Sequence, residues 1–205
     1  MTRRRGAYRS LESMQRVQRV CRACVEAGYP LESWPVIAPF SAQRAYLFGQ
    51  APGVVEGEER RPWRGRAGKT LRRWFDMEEE AFYATFYCAS VTRCYPGRNA
   101  SGRGDRTPTP AEQDLCEPWR DHELRLLRPT LIVTVGGLAA RRLLGVRSVT
   151  ECVGAVYERD GAVAIPLPHP SGASSWLNLQ ENRDRVAAAV ALIHEELARR
   201  GAEGV

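Results

Sequence analysis

Lysine is almost missing from this chain of 205 residues, because Lys69 is the only lysine among 30 basic residues. Nearly all of the positive charge therefore lies on arginine, whose planar guanidinium binds phosphate groups in a bidentate way. With a net charge of +6, this bias favours a polyanionic partner such as nucleic acid. An arginine preference across the genome, or a heat-adapted host, would produce the same bias.

Long apolar runs are also missing. No stretch approaches the roughly 18 apolar residues of a membrane-spanning helix, and the basic residues Arg3 to Arg5 are not followed by the apolar segment of a secretory signal. We expect a cytoplasmic monomer with no membrane partner. The length suits one domain, residues 1–205, of which residues 1–24 form an N-terminal helix and the first cysteine pair.

The hydrophobic pattern alternates between strands and helices, which predicts a three-layer α/β/α domain around a central, mostly parallel sheet. Strands are predicted at 45–49, 82–92, 131–136, 155–160 and 162–166, and helices within 1–20 and at 70–77, 110–127, 137–144 and 182–199. The segment 131–136 is apolar on both faces, as expected of a central parallel strand.

The stretch Tyr46–Gly68 is the most informative part of the chain. Its first strand breaks into Gly49-Gln50-Ala51-Pro52-Gly53, which can continue neither a strand nor a helix. This places the Gln50 side chain at the carboxyl edge of the sheet, where open α/β sheets bind ligands. Arg66 and Lys69 follow where a helix can begin, which favours an anion. An ordinary turn with a charged surface loop would give the same pattern.

The six cysteines point to metal binding or redox chemistry more than to disulfides. Cys21 and Cys24 form a C-x-x-C pair, Cys94 follows the second predicted strand, and Cys116 lies on a predicted helix. Four thiolates from three separate elements can close on one iron–sulfur cluster or on one Zn²⁺. The remaining two cysteines are expected to be buried and inert.

Four short blocks stand in order along the chain: GQAPG at 49–53, RPWRGRAG at 61–68, VTRCYPG at 91–97 followed by Cys116, and PHPSG at 168–172. Together they resemble the uracil-DNA glycosylase superfamily, most closely its iron–sulfur branch, family 4, with family 5 as a neighbour. Each block alone is weak evidence, but four in the family's order are specific. The similarity runs from about Cys21 to the last helix.

The resemblance implies a monofunctional DNA glycosylase that removes uracil from DNA in base excision repair. It also implies a [4Fe–4S] cluster, bound by the four cysteines named above, and DNA containing a deaminated base as the partner. The interval between Cys94 and Cys116 is longer than is usual in the family, with 97–105 as the insertion.

The resemblance also assigns site residues. Trp63 matches the aromatic residue that stacks on the flipped base, His169 matches the histidine that faces the base O2, and the backbone of Gln50 and Ala51 would line the sugar and base. Two positions depart from the family. Gln50 replaces a glutamate that assists the water, and glutamine cannot act as a general base. Ser90 replaces an asparagine that reads the base edge, so base discrimination would be looser or mediated by water. Hypoxanthine and xanthine become further candidate bases.

The chemistry of glycosidic cleavage supports three catalytic candidates. A donor aimed at the departing base stabilises its developing negative charge, and His169 is the best candidate for that donor. Gln50 could orient the water, and Glu56 is the nearest carboxylate in the motif loop that could act as base. For Glu56 the alternative is a solvated loop charge. The alternative function is a catalytically weak or inactive nucleic-acid-binding protein of the same fold.

DNA contacts are expected from Arg66 and Ser171. Trp176 and Leu177 lie in a segment that matches the minor-groove loop of the superfamily, and one of them could fill the gap left by the flipped nucleotide. The alternative is that both residues only anchor the loop to the last helix.

Overall fold

A computed structural model describes residues 8–31, 33–102, 104–171 and 175–202 of the chain. In these ranges one sheet is formed by β1 Ala45–Gly49, β2 Phe86–Ser90, β3 Leu131–Val135, β4 Tyr157–Arg159 and β5 Ala162–Leu167. The strands follow the order β2-β1-β3-β5-β4 across the sheet. Strand β4 runs antiparallel to β5, and the other neighbouring pairs are parallel. The carboxyl ends of the parallel strands therefore share one edge.

Helices pack against this sheet and complete the three-layer α/β/α domain that the alternating pattern predicts. Their bounds are α1 Leu11–Gln18, α2 Ala23–Glu26, α3 Val54–Glu59, α4 Arg66–Trp74, α5 Glu79–Thr85, α6 Pro110–Leu127, α7 Gly137–Leu144, α8 Val149–Cys152 and α9 Gln180–Ala202. A turn of 3-10 helix at Ser175–Asn178 precedes α9. Among the described helices, none is long and apolar enough to cross a membrane.

The core lies in the middle of the sheet. Every residue of β1 and β3 is buried, because each strand has a neighbour on both sides. The rings of Tyr46 and Phe48 stack with centroids 5.7 Å apart, and Tyr87 stacks on Tyr46 at 6.0 Å. Aromatic side chains bury large apolar areas. This packing holds the carboxyl edge of the sheet in a fixed shape.

A buried ion pair joins α6 to the loop after β2. The Arg93 and Glu123 side chains are 3% and 1% exposed, and the Arg93 Nε donates to Glu123 at 3.2 Å. The Tyr46 hydroxyl and the Gln18 amide donate to the same carboxylate at 2.7 and 3.0 Å. Burial, with Glu123 nearby, raises the pKa of Tyr46, so the phenol stays protonated as a donor. This network fixes the backbone just before Cys94.

The predicted second strand, 82–92, is wrong at its start. Residues Glu79–Thr85 form α5, and β2 begins at Phe86. The aromatic residues here favour a strand locally, but from the helix Phe82 packs on Phe75 at 6.3 Å and on Phe86 at 5.4 Å between centroids. These tertiary contacts outweigh the local preference.

Two further differences concern helices. The pattern does not predict α3, which contains Gly57, a residue that weakens helices. In the predicted helix within 1–20, the spacing of the apolar residues at 11, 14, 17 and 20 predicts one buried face, but only Leu11 and Met14 are buried, and Val17 and Val20 are exposed. Since α1 ends at Gln18, Val20 lies beyond the helix. The predicted bounds of β1, α6 and α7 agree with the structure.

Candidate functional site

Three of the predicted site residues lie where parallel strands end. Gln50 follows β1, Ser90 ends β2 directly beside Gly49, and His169 lies two residues after β5. Because parallel strands present their carboxyl ends on one edge, residues far apart in sequence meet there. Together with Trp63 they line one cavity of about 690 Å³. The structure thus brings together the four residues predicted to surround a base.

Trp63 is held in a backbone conformation that tryptophan rarely adopts, with a φ of +58°. Its carbonyl oxygen accepts a hydrogen bond from Arg72 at 3.0 Å. A Cβ on Gly49 would lie 2.8 Å from Cζ2 of the indole, and one on Gly68 would overlap the Trp63 carbonyl. Both glycines stand in the motif blocks, but their sequence pattern did not predict that they make room for Trp63, although glycine inside a motif signals such a close approach. They leave room for the indole at the cavity.

Glu56 is 8% exposed, so the alternative of a solvated loop charge is wrong. Its Oε2 accepts the backbone N–H of Gly53 at 3.1 Å, and its Oε1 accepts that of Gly65 at 2.7 Å. The carboxylate therefore ties the first motif turn to the start of α4. It lines the cavity, and its role as a general base stays a prediction.

Ser171 fixes the orientation of His169. The Ser171 backbone N–H donates to Nδ1 of the imidazole at 3.3 Å, and its hydroxyl lies 2.9 Å from the same nitrogen. A ring nitrogen that accepts from an N–H carries no proton, so the proton of the neutral ring is assigned to Nε2. Burial lowers the pKa of His169, and the Glu56 carboxylate offsets this only in part. The ring is thus a neutral N–H donor at pH 7.

Gln50 and Ser90 offer different hydrogen-bonding groups to the cavity that they line with Ala51. The Gln50 side chain has no hydrogen-bond partner among the described residues, so its amide is free to donate and to accept. The Ser90 hydroxyl donates to the Thr92 carbonyl at 2.7 Å. Its remaining lone pairs can only accept, so a bound base would meet an acceptor at this position.

The residues of the insertion form a small hairpin against the cavity. Arg98 and Asp105 make an antiparallel bridge, and Arg103 within it lies outside the described residues. Next to the hairpin, the Arg106 guanidinium donates to both oxygens of Glu112 at 2.7 and 2.6 Å. Glu112 is buried near the start of α6. This ion pair anchors the hairpin to the domain, and Asp105 and Arg106 line the cavity.

The predicted DNA contacts are spread over two places. Arg66 and Ser171 line the cavity, with Arg66 exposed. Trp176 and Leu177 are half-buried and do not line it. The Trp176 Nε1 donates to the Thr150 hydroxyl at 2.9 Å, which anchors the indole to α8. The predicted wedge role of these two residues stays a prediction. The segment 172–174, which contains the last residue of the fourth block, lies outside the described residues.

The four cysteines predicted as ligands lie near one another. Cys24 and Cys94 belong to one small buried apolar cluster, and the backbone N–H of Arg93 donates to the Cys116 sulfur at 3.4 Å. Burial raises the pKa of Cys24 to about 12, and the Cys116 and Cys21 thiols add to this. The four thiols therefore come from three separate elements and lie near one another.

Four thiolates are the donor set of an iron–sulfur cluster. Among the described residues, no three His, Cys, Asp or Glu side chains stand close enough to hold a single metal ion. In a four-iron cluster each iron takes one thiolate, so the ligands stand further apart than around Zn²⁺. Apolar surroundings and an N–H aimed at one sulfur also fit a cluster. The other two cysteines, Cys88 and Cys152, are buried, as expected, and form no disulfide.

Comparison with known proteins identifies the family. A family model described as "Uracil DNA glycosylase superfamily" matches residues 37–193. Three related proteins are each named type-4 uracil-DNA glycosylase. The one from Sulfurisphaera tokodaii is 25% identical, over 84% of this chain and 79% of its own length. Those from Thermotoga maritima and Archaeoglobus fulgidus are 30% and 28% identical, over 62% and 73% of this chain and 65% and 73% of their own. The matched span contains every motif of the cavity, and the chain belongs to the uracil DNA glycosylase superfamily.

Proposed function

We propose that this protein is a monofunctional DNA glycosylase that hydrolyses the N-glycosidic bond of uracil in DNA. The observation that carries the proposal is the single cavity lined by Gln50, Trp63, Ser90 and His169. Its volume of about 690 Å³ lies in the range of small-ligand sites. The similarity to proteins named type-4 uracil-DNA glycosylase supports hydrolytic action on DNA.

The cavity receives a base that has left the helix. An enzyme that acts on a base in DNA must first take it out of the stack, at a cost of a few kcal/mol. The Trp63 indole offers an apolar wall on which the base can stack, and stacking offsets part of this cost. Arg66, which lines the cavity, would contact a phosphate of the same strand.

Bond cleavage leaves positive charge on the sugar and negative charge on the base. A donor held in place before the reaction stabilises that negative charge without reorganisation. The Nε2–H of His169, oriented by Ser171, is the donor in this site. The Gln50 amide, which has no partner among the described residues, holds the attacking water.

Ser90 supports a base range wider than uracil. Its hydroxyl donates to the Thr92 carbonyl, so it presents an acceptor to the base. Uracil, hypoxanthine and xanthine each carry a ring N–H beside a carbonyl, whereas cytosine and adenine carry an unprotonated nitrogen at the matching edge. We propose that the site accepts the deaminated bases and rejects cytosine and adenine, the bases from which uracil and hypoxanthine arise, on this ground.

A structural [4Fe–4S] cluster bound by Cys21, Cys24, Cys94 and Cys116 completes the proposal. When bound, it ties the N-terminal helices, the loop after β2 and the start of α6 together, and it takes no part in bond cleavage. Iron and sulfide analysis of purified protein, with its visible absorbance, tests this. Protein that contains zinc in place of iron and sulfide would contradict the proposed cluster.

The activity is tested with oligonucleotides that each carry one uracil, hypoxanthine or xanthine, as single strands and as duplexes. Alkali cleaves the backbone at any abasic site that the protein creates. Cleavage at uracil is expected, and binding without cleavage would favour the alternative of an inactive nucleic-acid-binding protein. We place the activity in base excision repair by a cytoplasmic monomer.

A further inference from the structure

Hydrolysis needs a group that takes up a proton from the attacking water. Gln50 holds the water but has no basic oxygen, because an amide is not a general base. Among the described residues that line the cavity, only Glu56 and Asp105 are acids. Asp105 belongs to the inserted hairpin, for which the family resemblance assigns no role.

Hydrogen bonding distinguishes the two carboxylates. Both oxygens of Glu56 already accept backbone N–H groups, at 3.1 and 2.7 Å. In Asp105, Oδ1 accepts from the Tyr95 hydroxyl at 2.9 Å. Its Oδ2 accepts no hydrogen bond within the described part of the chain. Glu56 is therefore engaged in holding the backbone, whereas Asp105 keeps one oxygen free.

The free oxygen lies against the first motif turn. A Cβ on Gly53 would lie 3.2 Å from Oδ2 of Asp105. Gly53 is three residues from Gln50, and all three residues line the same cavity. The Asp105 carboxylate of the hairpin thus reaches the first motif turn, which contains no acidic residue.

The hairpin holds this carboxylate in place. The bridge between Arg98 and Asp105 fixes the backbone of Asp105. The Arg106 N–H, next in the chain, donates to the Gly97 carbonyl at 2.9 Å. The Arg106 side chain is then clamped on Glu112 of α6 by two hydrogen bonds. Such support keeps a group near its productive geometry, which catalysis requires.

We infer that Asp105 is the general base of this site, an inference that rests on the proposed function. A water between Gln50 and Asp105 attacks C1′ of the flipped nucleotide and passes one proton to Oδ2. The bond between C1′ and the base breaks, and its electron pair leaves on the base. The Nε2–H of His169 donates a hydrogen bond to that base and keeps its proton. Asp105 later releases its proton to solvent.

The test measures single-turnover excision from a strand with one uracil, together with the Kd for the same strand. Asp105→Asn keeps the size and the bond to Tyr95 but cannot take a proton, so the rate should fall about 10²- to 10⁴-fold. The Kd should change less than about threefold, since no phosphate contact is lost. Tyr95→Phe removes the hydroxyl that orients the carboxylate, and a smaller loss of rate is expected.

Chemical rescue separates a base from a structural residue. In Asp105→Ala, added formate should restore part of the rate, because it supplies a carboxylate that a misfolded site could not use. Asp160→Asn is the matched control, since Asp160 lies in the β4–β5 turn at the opposite edge of the sheet, and it should behave as wild type.

Two results would overturn the inference while leaving the proposed function intact: an Asp105→Asn rate equal to wild type, or a folded Asp105→Ala protein whose slow rate formate does not raise. A wild-type protein that leaves uracil in place would instead remove the proposed function, and this inference with it.

Discussion

The indole of Trp63 occupies the space in which Gly49 would carry a side chain, since a Cβ there would lie 2.8 Å from Cζ2. Gly49 ends β1 beside Ser90, so this contact places the aromatic wall over the strand ends that carry Gln50 and Ser90. The left-handed backbone of Trp63 is tolerated because the surrounding structure holds it.

Trp63→Ala should weaken capture of the flipped base. Loss of one base–aromatic contact costs roughly 1–3 kcal/mol, and Gly49→Ala should act in the same direction because it displaces the ring. The fluorescence of a 2-aminopurine next to the uracil reports flipping. Trp34→Ala, at an exposed ring that does not line the cavity, is the control. Unchanged flipping in Trp63→Ala would place this residue outside the base site.

The pKa of His169 should lie below the ordinary value of a histidine. Burial lowers its pKa from 6.5, so the unfolded chain takes up a proton first as the pH falls. The stability contributed by the neutral ring is complete above about 6.5 and is lost as the pH falls towards the folded-state pKa. Nitrogen-15 NMR of the imidazole measures both the pKa and the tautomer. A proton on Nδ1, or a pKa above 6.5, would contradict the role of Ser171.

Gln50→Glu should keep or raise uracil excision. The substitution restores the carboxylate found at the matching position of family 4 and removes no contact, because the Gln50 side chain has no partner among the described residues. Single-turnover rates across a pH series provide the measurement. Abolished excision by a stably folded Gln50→Glu protein would show that the amide itself is required.

Glu123→Ala should destabilise the fold strongly. Removing one partner of a buried pair leaves the other charge unpaired, here that of Arg93, and costs about 3–5 kcal/mol. Urea unfolding measures the loss. Glu80→Ala, at an exposed position on α5, should change the free energy of unfolding by less than about 0.5 kcal/mol. A similar effect of both substitutions would mean that the buried network adds little stability.

Elements with strong local signals are predictable from the sequence to the residue. The run before Gly49 defines β1, and Thr109 with Pro110 defines the start of α6, where the Thr109 hydroxyl accepts the N–H of Glu112 at 3.3 Å. These signals act over a few residues, so no knowledge of the fold is needed. The helix at Glu79–Thr85 is not predictable in this way, because its aromatic residues are placed by contacts with Phe75 and β2.

Some residues of the candidate site are likewise predictable from the sequence, and others are not. Gln50, Ser90 and His169 are predictable because each follows a strand, and strand ends meet at one edge. The contact of Asp105 with the turn at Gly53 joins segments 52 residues apart through the path of a loop. Nor does the sequence reveal that Glu56 faces inward, since this depends on α3, which the pattern does not predict.

The most direct test of the proposed glycosylase activity identifies the base that the protein releases. A strand with one uracil is incubated with excess wild-type protein, and the products are analysed by mass spectrometry, with His169→Ala in parallel. Free uracil and an abasic strand are expected from wild type, with the His169→Ala rate lower by about 10²- to 10³-fold and DNA binding nearly unchanged. If wild type binds the strand and releases no uracil, the proposed glycosylase activity is wrong. If His169→Ala releases uracil as fast as wild type, the proposed role of His169 is wrong.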